Sequence, residues 1–176
     1  SLYKALLNGS SQMWTAGNEY MVFEENGLKF STPICFEDTF GNDCRNFVLM
    51  GARCLFNLSN DSWSKSVPCQ NQHLAMATFR CVENRICAAR STATGTTAFV
   101  DSCGNVVSET EPFEKNYLEA EVPVQDKNFK ITFYTKHGDF LAKIILLCAV
   151  LIETSFLLRR FFCRRLTILK KLCKIE

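Results

Sequence analysis

Between Phe140 and Leu158 the chain reads FLAKIILLCAVLIETSFLL, nineteen residues with Lys143 and Glu153 as their only charges. As a helix this run would reach roughly 28 Å, close to the hydrocarbon thickness of a bilayer. A membrane span is therefore the first expectation, against an amphipathic surface helix or a buried core helix. Lys143 lies near one end and can extend its ammonium to the headgroups, whereas Glu153 lies deeper and needs a partner, a water-filled groove or a proton. Beyond Leu158 stand seven basic residues and one acidic, against 13 basic and 17 acidic before it. A mildly acidic body followed by an apolar run and a basic end is the charge pattern of a membrane-anchored domain. Arg159 and Arg160 directly after the run would put that end in the cytoplasm and residues 1–139 on the outer side. The body has no basic stripe, so nucleic acid is not an expected partner. No secretory signal precedes it, and Ser1-Leu2-Tyr3-Lys4 is not a translation start, so the chain reads as a piece of something longer or the orientation is reversed.

The body alternates strand and helix signals. Gly27–Cys35 reads as a strand, 42–52 as a helix, and Arg53–Ser59 as an apolar strand of the kind that a sheet covered on both faces contains. A polar loop over 60–69 leads to helical periodicity over Gln70–Arg85 and a third strand over Ile86–Ser91. Ser102-Cys103-Gly104 reads as the turn of a hairpin, and Tyr117–Val124 as a last strand. The expected class is α/β.

Ten cysteines do not define a compartment. None has C-x-x-C spacing and only two histidines are present, so neither a metal nor a cofactor is expected and free, mostly buried thiols are the default. One cysteine has a distinctive setting, in Ser31-Thr32-Pro33-Ile34-Cys35-Phe36-Glu37-Asp38. At the carboxyl end of a strand Cys35 would sit where open α/β sheets place their ligands, with Glu37 on the same side. A nucleophilic role requires a base or cation to produce the thiolate. A structural thiol fits the same residues, since cysteine is among the most buried types.

Pro33-Ile34-Cys35-Phe36-Glu37-Asp38 resembles the nucleophile motif of the carbon-nitrogen hydrolase (nitrilase) superfamily. Asn57-Leu58-Ser59-Asn60-Asp61-Ser62-Trp63, the segment 72–77, the segment 80–85 and the stretch 90–98 are similar, in order, to blocks of one branch, the bacterial apolipoprotein N-acyltransferases. So is 132–139, which leads into the apolar run. The resemblance implies a nitrilase-like αββα sandwich, here partial, followed by a C-terminal transmembrane helix. It divides the chain into 1–128, part of the hydrolase domain; 129–139, a juxtamembrane linker; 140–158, the span; and 159–176, a basic cytoplasmic tail. It places the sandwich on the periplasmic side of a bacterial inner membrane. The activity it implies takes a fatty acyl chain from a phospholipid donor as a cysteine thioester and passes it to the N-terminal amine of a diacylated lipoprotein acceptor. Carried over, Cys35 is the nucleophile, the Phe36 backbone amide an oxyanion donor, Glu37 a supporting acid and Trp63 a substrate contact. A membrane-tethered amidase or nitrilase acting on a small amide, or a non-catalytic remnant, are the alternatives.

Departures stand beside these matches. Phe36 replaces a usual Tyr, Ser64-Lys65 a usual Phe-Gly, and Ala93 a usual Asn. His73 reads as a hydrogen-bonded structural histidine, Arg80 and Glu83 as an ion pair on one helix face, and Phe129, Phe133 and Tyr134 as an aromatic membrane belt. The family's glutamate base and oxyanion lysine lie upstream of the nucleophile and have no match in the 34 residues before Cys35. The 176-residue chain alone is accordingly expected to make no triacyl product from phospholipid and a diacylated lipopeptide. A Cys35-dependent product, resolved by mass spectrometry, would refute that expectation.

Overall fold

The computed structural model describes residues 17–126 and 128–172. The chain divides between Thr135 and Lys136 into two units. The first is built on a six-stranded mixed sheet in the order β1 to β6. β1 (Phe23–Glu25) and β2 (Leu28–Ser31) form an antiparallel hairpin. Its turn is Asn26-Gly27, both at positive φ (51° and 80°), the pair that a two-residue turn of this hand demands. β2 runs parallel to β3 (Cys54–Ser59), and β3 parallel to β4 (Cys87–Thr92). β5 (Ala98–Val100) and β6 (Val106–Glu109) add antiparallel strands.

Parallel neighbours need crossovers, and two helices supply them. α1 (Gly41–Leu49) joins β2 to β3, and α2 (Val67–Asn84) joins β3 to β4. Pro68 in the first turn of α2 costs no hydrogen bond there, and Arg85 ends the helix in the left-handed conformation (φ 56°). Cys44, Phe47 and Val48 of α1 pack with Ala52, Leu55 and Ile86. Leu74 and Cys81 of α2 pack with Ala98 and Val100. The hairpin turn expected at 102–104 is present: the Asp101 carboxylate accepts from the amides of Cys103 (2.8 Å) and Asn105 (2.9 Å).

Three expectations are corrected. The strand read over Gly27–Cys35 ends at Ser31, because Pro33 has no N–H to give a ladder, and only an isolated bridge joins Ile34 to Leu58. Cys35 instead opens a 3-10 turn, Cys35–Thr39. Tyr117–Val124 forms no strand. Its alternation survives, with Leu118, Ala120 and Val122 half-buried between exposed residues, and Ala120, Val122 and Val124 line a cavity of about 150 Å³ with Phe56 and Cys87 of the sheet. Among the described residues no strand lies beside this segment to pair with it. Phe129 is not part of a membrane belt: it packs on the α1 cluster, with the Arg53 guanidinium 5.1 Å above its ring. Thr132 and Thr135 then tie the chain to the end of α2, through Thr132 Oγ1 to Glu83 O (2.6 Å) and Thr135 Oγ1 to Asn84 Oδ1 (2.8 Å).

The second unit contains α4 (Phe140–Leu172), which follows the short α3 (Phe133–His137). Its segment Phe140–Phe161 has a mean hydropathy of 2.2 and none of it is buried, so by length and composition it can cross a bilayer. Leu141, Ile145, Leu146 and Phe156 stand 61–66% exposed, a continuous apolar surface that water does not tolerate and lipid does. The expected tail 159–176 lies only partly within the described residues.

Gly95 is buried where any side chain would collide: an added Cβ would lie 2.5 Å from Asp61 Oδ2 and 2.6 Å from Gln70 Oε1. Gly95→Ala is expected to lower stability by about 1–3 kcal/mol through this overpacking, read as a shift in the denaturant midpoint. An unshifted midpoint would show that the loop yields.

Candidate active site

Cys35 has φ 53°, in the left-handed region that L-residues enter at a cost of about 1–2 kcal/mol. Such a backbone persists only where its surroundings over-determine it. Several restraints converge here. Asn57, buried on β3, donates through Nδ2 to Pro33 O (3.1 Å) and to Cys35 O (2.9 Å). The Ile34 amide donates to Glu37 Oε2 (2.7 Å), and the Glu37 amide donates back to Ile34 O (3.1 Å). Glu37 is therefore not beside Cys35 on an extended strand. Its carboxylate folds back and closes the turn that carries the cysteine.

Below the turn lies a cluster of four polar side chains, each between 2% and 4% exposed: Asp38, Asp61, His73 and Arg90. Arg90, on β4, donates to Asp38 through one terminal nitrogen and to Asp61 Oδ2 (2.9 Å) through the other. His73, on α2, presents Nε2 to Asp38 Oδ1 (2.9 Å) and Nδ1 to both oxygens of Asp61 (3.1 Å). Ser59 Oγ donates to Asp61 Oδ1 (2.7 Å). Burial alone would push the Asp61 carboxyl up, but the Ser59 hydroxyl, the Arg90 guanidinium and His73 together hold it below its ordinary value. The cluster ties the cysteine turn, the loop after β3, helix α2 and strand β4 to one point. Arg80 extends the tie: it pairs with Glu83 (2.8 Å), as the sequence suggested, and donates to Thr39 O (2.9 Å) at the end of the turn.

The remaining surface is apolar and open. Ile34, Phe36, Phe40 and Trp63 are 43–64% exposed. Ile34 and Glu37 line a cleft of about 680 Å³ with Tyr20, Met21 and Phe47. Phe36 lines a second hollow of about 210 Å³ with Trp63, Cys69, His73 and Met76. Cys35 thus lies, in sequence, between one residue of each hollow, and it is itself half-exposed. Other thiols are differently placed. Burial pushes Cys44 up to about 12, and Cys81 is raised by the same cause. The hydrogen bond to Cys87, with burial, pushes the Cys54 thiol up. These are inert packing groups. The seven cysteines from Cys35 to Cys103, and Cys148, are free, and among the described residues no cluster of potential metal ligands occurs.

The structure brings Cys35, Phe36 and Glu37 onto one turn and sets Trp63 across a hollow from Phe36. Sequence reasoning missed Asp38, Asp61 and Arg90. A usable signal was present only for Arg90, a charged residue inside an otherwise small and apolar strand start, Cys87-Ala88-Ala89.

A mixed sheet with crossover helices, carrying a half-exposed cysteine on a turn of positive φ, makes a layered α/β domain. Residues 3–127 match the carbon-nitrogen hydrolase family, and the chain belongs to it. It is 47% identical over 122 residues to apolipoprotein N-acyltransferase 1 of Treponema pallidum, covering 69% of this chain and 22% of that protein. It is 40% identical over 162 residues to apolipoprotein N-acyltransferase 1 of Treponema denticola, covering 92% of this chain and 30% of that one. The chain therefore spans between a fifth and a third of the length of these relatives. Among solved structures, a carbon-nitrogen hydrolase from Helicobacter pylori matches 57% of this chain and 42% of its own at a TM-score of 0.50 and 14% identity. The glutamine-dependent NAD+ synthetase of Acinetobacter baumannii matches 58% of this chain and 21% of its own at 0.53 and 14%. These two likenesses concern the fold alone.

The lowered Asp61 carboxyl has a pH consequence. A group whose folded pKa is depressed contributes stability that is full above its unfolded value, near 3.9, and lost as pH falls through the folded value. Unfolding free energy is expected to fall below about pH 4 in part through Asp61, and Asp61→Asn to flatten that limb. Denaturant titrations between about pH 2.5 and about pH 7 check it; parallel limbs in both proteins would contradict it.

Proposed function

We propose that this chain carries the nucleophile-bearing part of an apolipoprotein N-acyltransferase. The observation that carries the reading is Cys35, a half-exposed cysteine held at φ 53° whose sequence neighbours Ile34 and Phe36 each line a hollow. In the first step the Cys35 thiolate attacks the ester carbonyl of a phospholipid. The developing oxyanion accepts a hydrogen bond from the Phe36 amide, the C–O bond breaks, and the lysophospholipid alkoxide leaves with a proton. In the second, the α-amino group of a diacylglyceryl-modified cysteine attacks the thioester. The amine loses a proton, the thiolate departs and an amide remains. Glu37 serves this chemistry by closing the turn, through its 2.7 Å acceptance from the Ile34 amide. Trp63, 64% exposed, offers an indole face to a lipid chain at the mouth of the second hollow. The base that takes the thiol proton is assigned to no residue of this chain.

Two features favour a lipid donor over a small soluble amide: the apolar surround of Ile34, Phe36, Phe40 and Trp63, and the lipid-compatible surface of Phe140–Phe161. The sandwich part, 1–128, then stands on the periplasmic side of a bacterial inner membrane, reached through the linker 129–139. The span 140–158 ends at Arg159 and Arg160, and the tail 159–176 is cytoplasmic.

Intact mass spectrometry of the full-length membrane protein after exposure to phospholipid tests the reading. A fatty-acyl mass addition is expected, removed by hydroxylamine and missing in Cys35→Ala. No addition in a well-folded preparation would shift the weight to an amidase.

A further inference from the structure

One buried ring touches the cysteine turn on two sides. His73 is 3% exposed and is held at both nitrogens, by Asp38 at 2.9 Å and by Asp61 at 3.1 Å. Rotating the ring would break one or both contacts, so the face it offers is fixed. On that face lies Phe36, ring centroids 5.0 Å apart at 45°. Phe36 is otherwise 43% exposed, and its other described ring contact is Phe40 at 6.3 Å. The Phe36 amide immediately follows the left-handed Cys35, a conformation that persists only while its surroundings hold it. The side chain leaves the same Cα that carries this amide. Seating the ring therefore restricts rotation of the peptide.

We infer that His73 is a positioning residue: clamped between Asp38 and Asp61, it seats the Phe36 ring and so keeps the Phe36 amide aimed at the point where the oxyanion of an acylating Cys35 forms. The inference rests on the reading of Cys35 as nucleophile. Among the described residues no hydrogen bond joins His73 to Cys35, so the imidazole acts through Phe36 and not on the thiol. The same clamp fixes Asp61 at the base of the loop that carries Trp63, so one ring orders both walls of the smaller hollow.

Two reactions at one sulfur separate positioning from simple loss of structure. In acylation by p-nitrophenyl butyrate the Cys35 sulfur attacks the carbonyl, p-nitrophenolate leaves with the bonding pair, and the thiol proton passes to solvent. That reaction passes through an oxyanion. In alkylation by iodoacetamide the sulfur displaces iodide at a saturated carbon and no oxyanion forms, so the rate reports only thiolate and access. The full-length membrane enzyme is compared with His73→Gln, which keeps a hydrogen-bonding group but loses the ring face, and with Phe36→Ala, which keeps the clamp and the amide but loses the ring seated on it. Both variants are expected to acylate about tenfold to a hundredfold more slowly, the scale on which misplacement of a reacting group acts. Alkylation is expected to stay within about threefold of wild type. Unchanged acylation in Phe36→Ala, or acylation and alkylation falling together in it, would overturn the inference even if His73→Gln failed to fold. A wild-type enzyme that alkylates at Cys35 but releases no p-nitrophenolate would instead remove the nucleophile reading on which the inference stands.

Discussion

The rest of this structure depends on a buried contact set in which one guanidinium and one imidazole each bridge the same two carboxylates. Arg90 and His73 both reach Asp38 and Asp61, and all four side chains are withdrawn from water. Removing charges from solvent is expensive, and mutual attraction offsets it only when the geometry satisfies most donors and acceptors. Arg90 also approaches His73 Nδ1 at 2.8 Å, so the four groups form one closed contact set. That arrangement is weak evidence for stability, since apolar residues of the same volume often do as well. What it supplies is specificity of position. Four segments far apart in the chain, around residues 38, 61, 73 and 90, cannot shift independently without stranding a buried charge.

Strain at Cys35 needs that kind of anchoring. A left-handed cysteine relaxes unless both flanks are held, and here they are held by different means. Upstream, Asn57 grips the carbonyls of Pro33 and Cys35 from the neighbouring strand. Downstream, Asp38 is pinned from below and Thr39 O is held by Arg80. The sheet makes this possible: β3 contributes Asn57 and, just beyond, Asp61, while β4 contributes Arg90 in register with Asn57. A parallel pair whose strands end in polar groups at the same level is the arrangement by which open α/β sheets build sites at their carboxyl edges.

Much of the architecture was legible because it rests on periodicity. The helices at 41–49 and 67–84, the strands at 54–59 and 87–92 and the hairpin around Gly104 fall within a few residues of where apolar spacing and turn chemistry put them. The failures share one physical cause: a pattern reports which face a residue presents, not whether a partner exists. Residues 117–124 alternate as a strand does, yet a strand is a pairing and none is available beside them. Phe129 reads as interfacial from its neighbours, but Arg53 and the α1 cluster claim it. The Asn26-Gly27 turn was missed although its signal is among the strongest short-range ones. Of the site, Cys35 was visible through its motif. Of its supports, Glu37, His73 and the Arg80–Glu83 pair were read, while Asp38, Asp61 and Arg90 were not, because they look like surface residues until the fold draws them inward.

The proposed acyl transfer places a chemical demand on the surroundings of Cys35. A thioester is useful as an intermediate only if water reaches it more slowly than the second substrate does, and an apolar surround discourages water. Around Cys35 that surround is made of side chains that are themselves exposed, Ile34, Phe36, Phe40 and Trp63. Apolar groups standing in water are a liability unless another apolar phase covers them for part of the cycle. In the proposed reaction an acyl chain drawn from a bilayer is such a phase. The proposed lipid donor would thus account for the apolar collar as well as the cysteine, whereas a soluble amide would account for the cysteine alone.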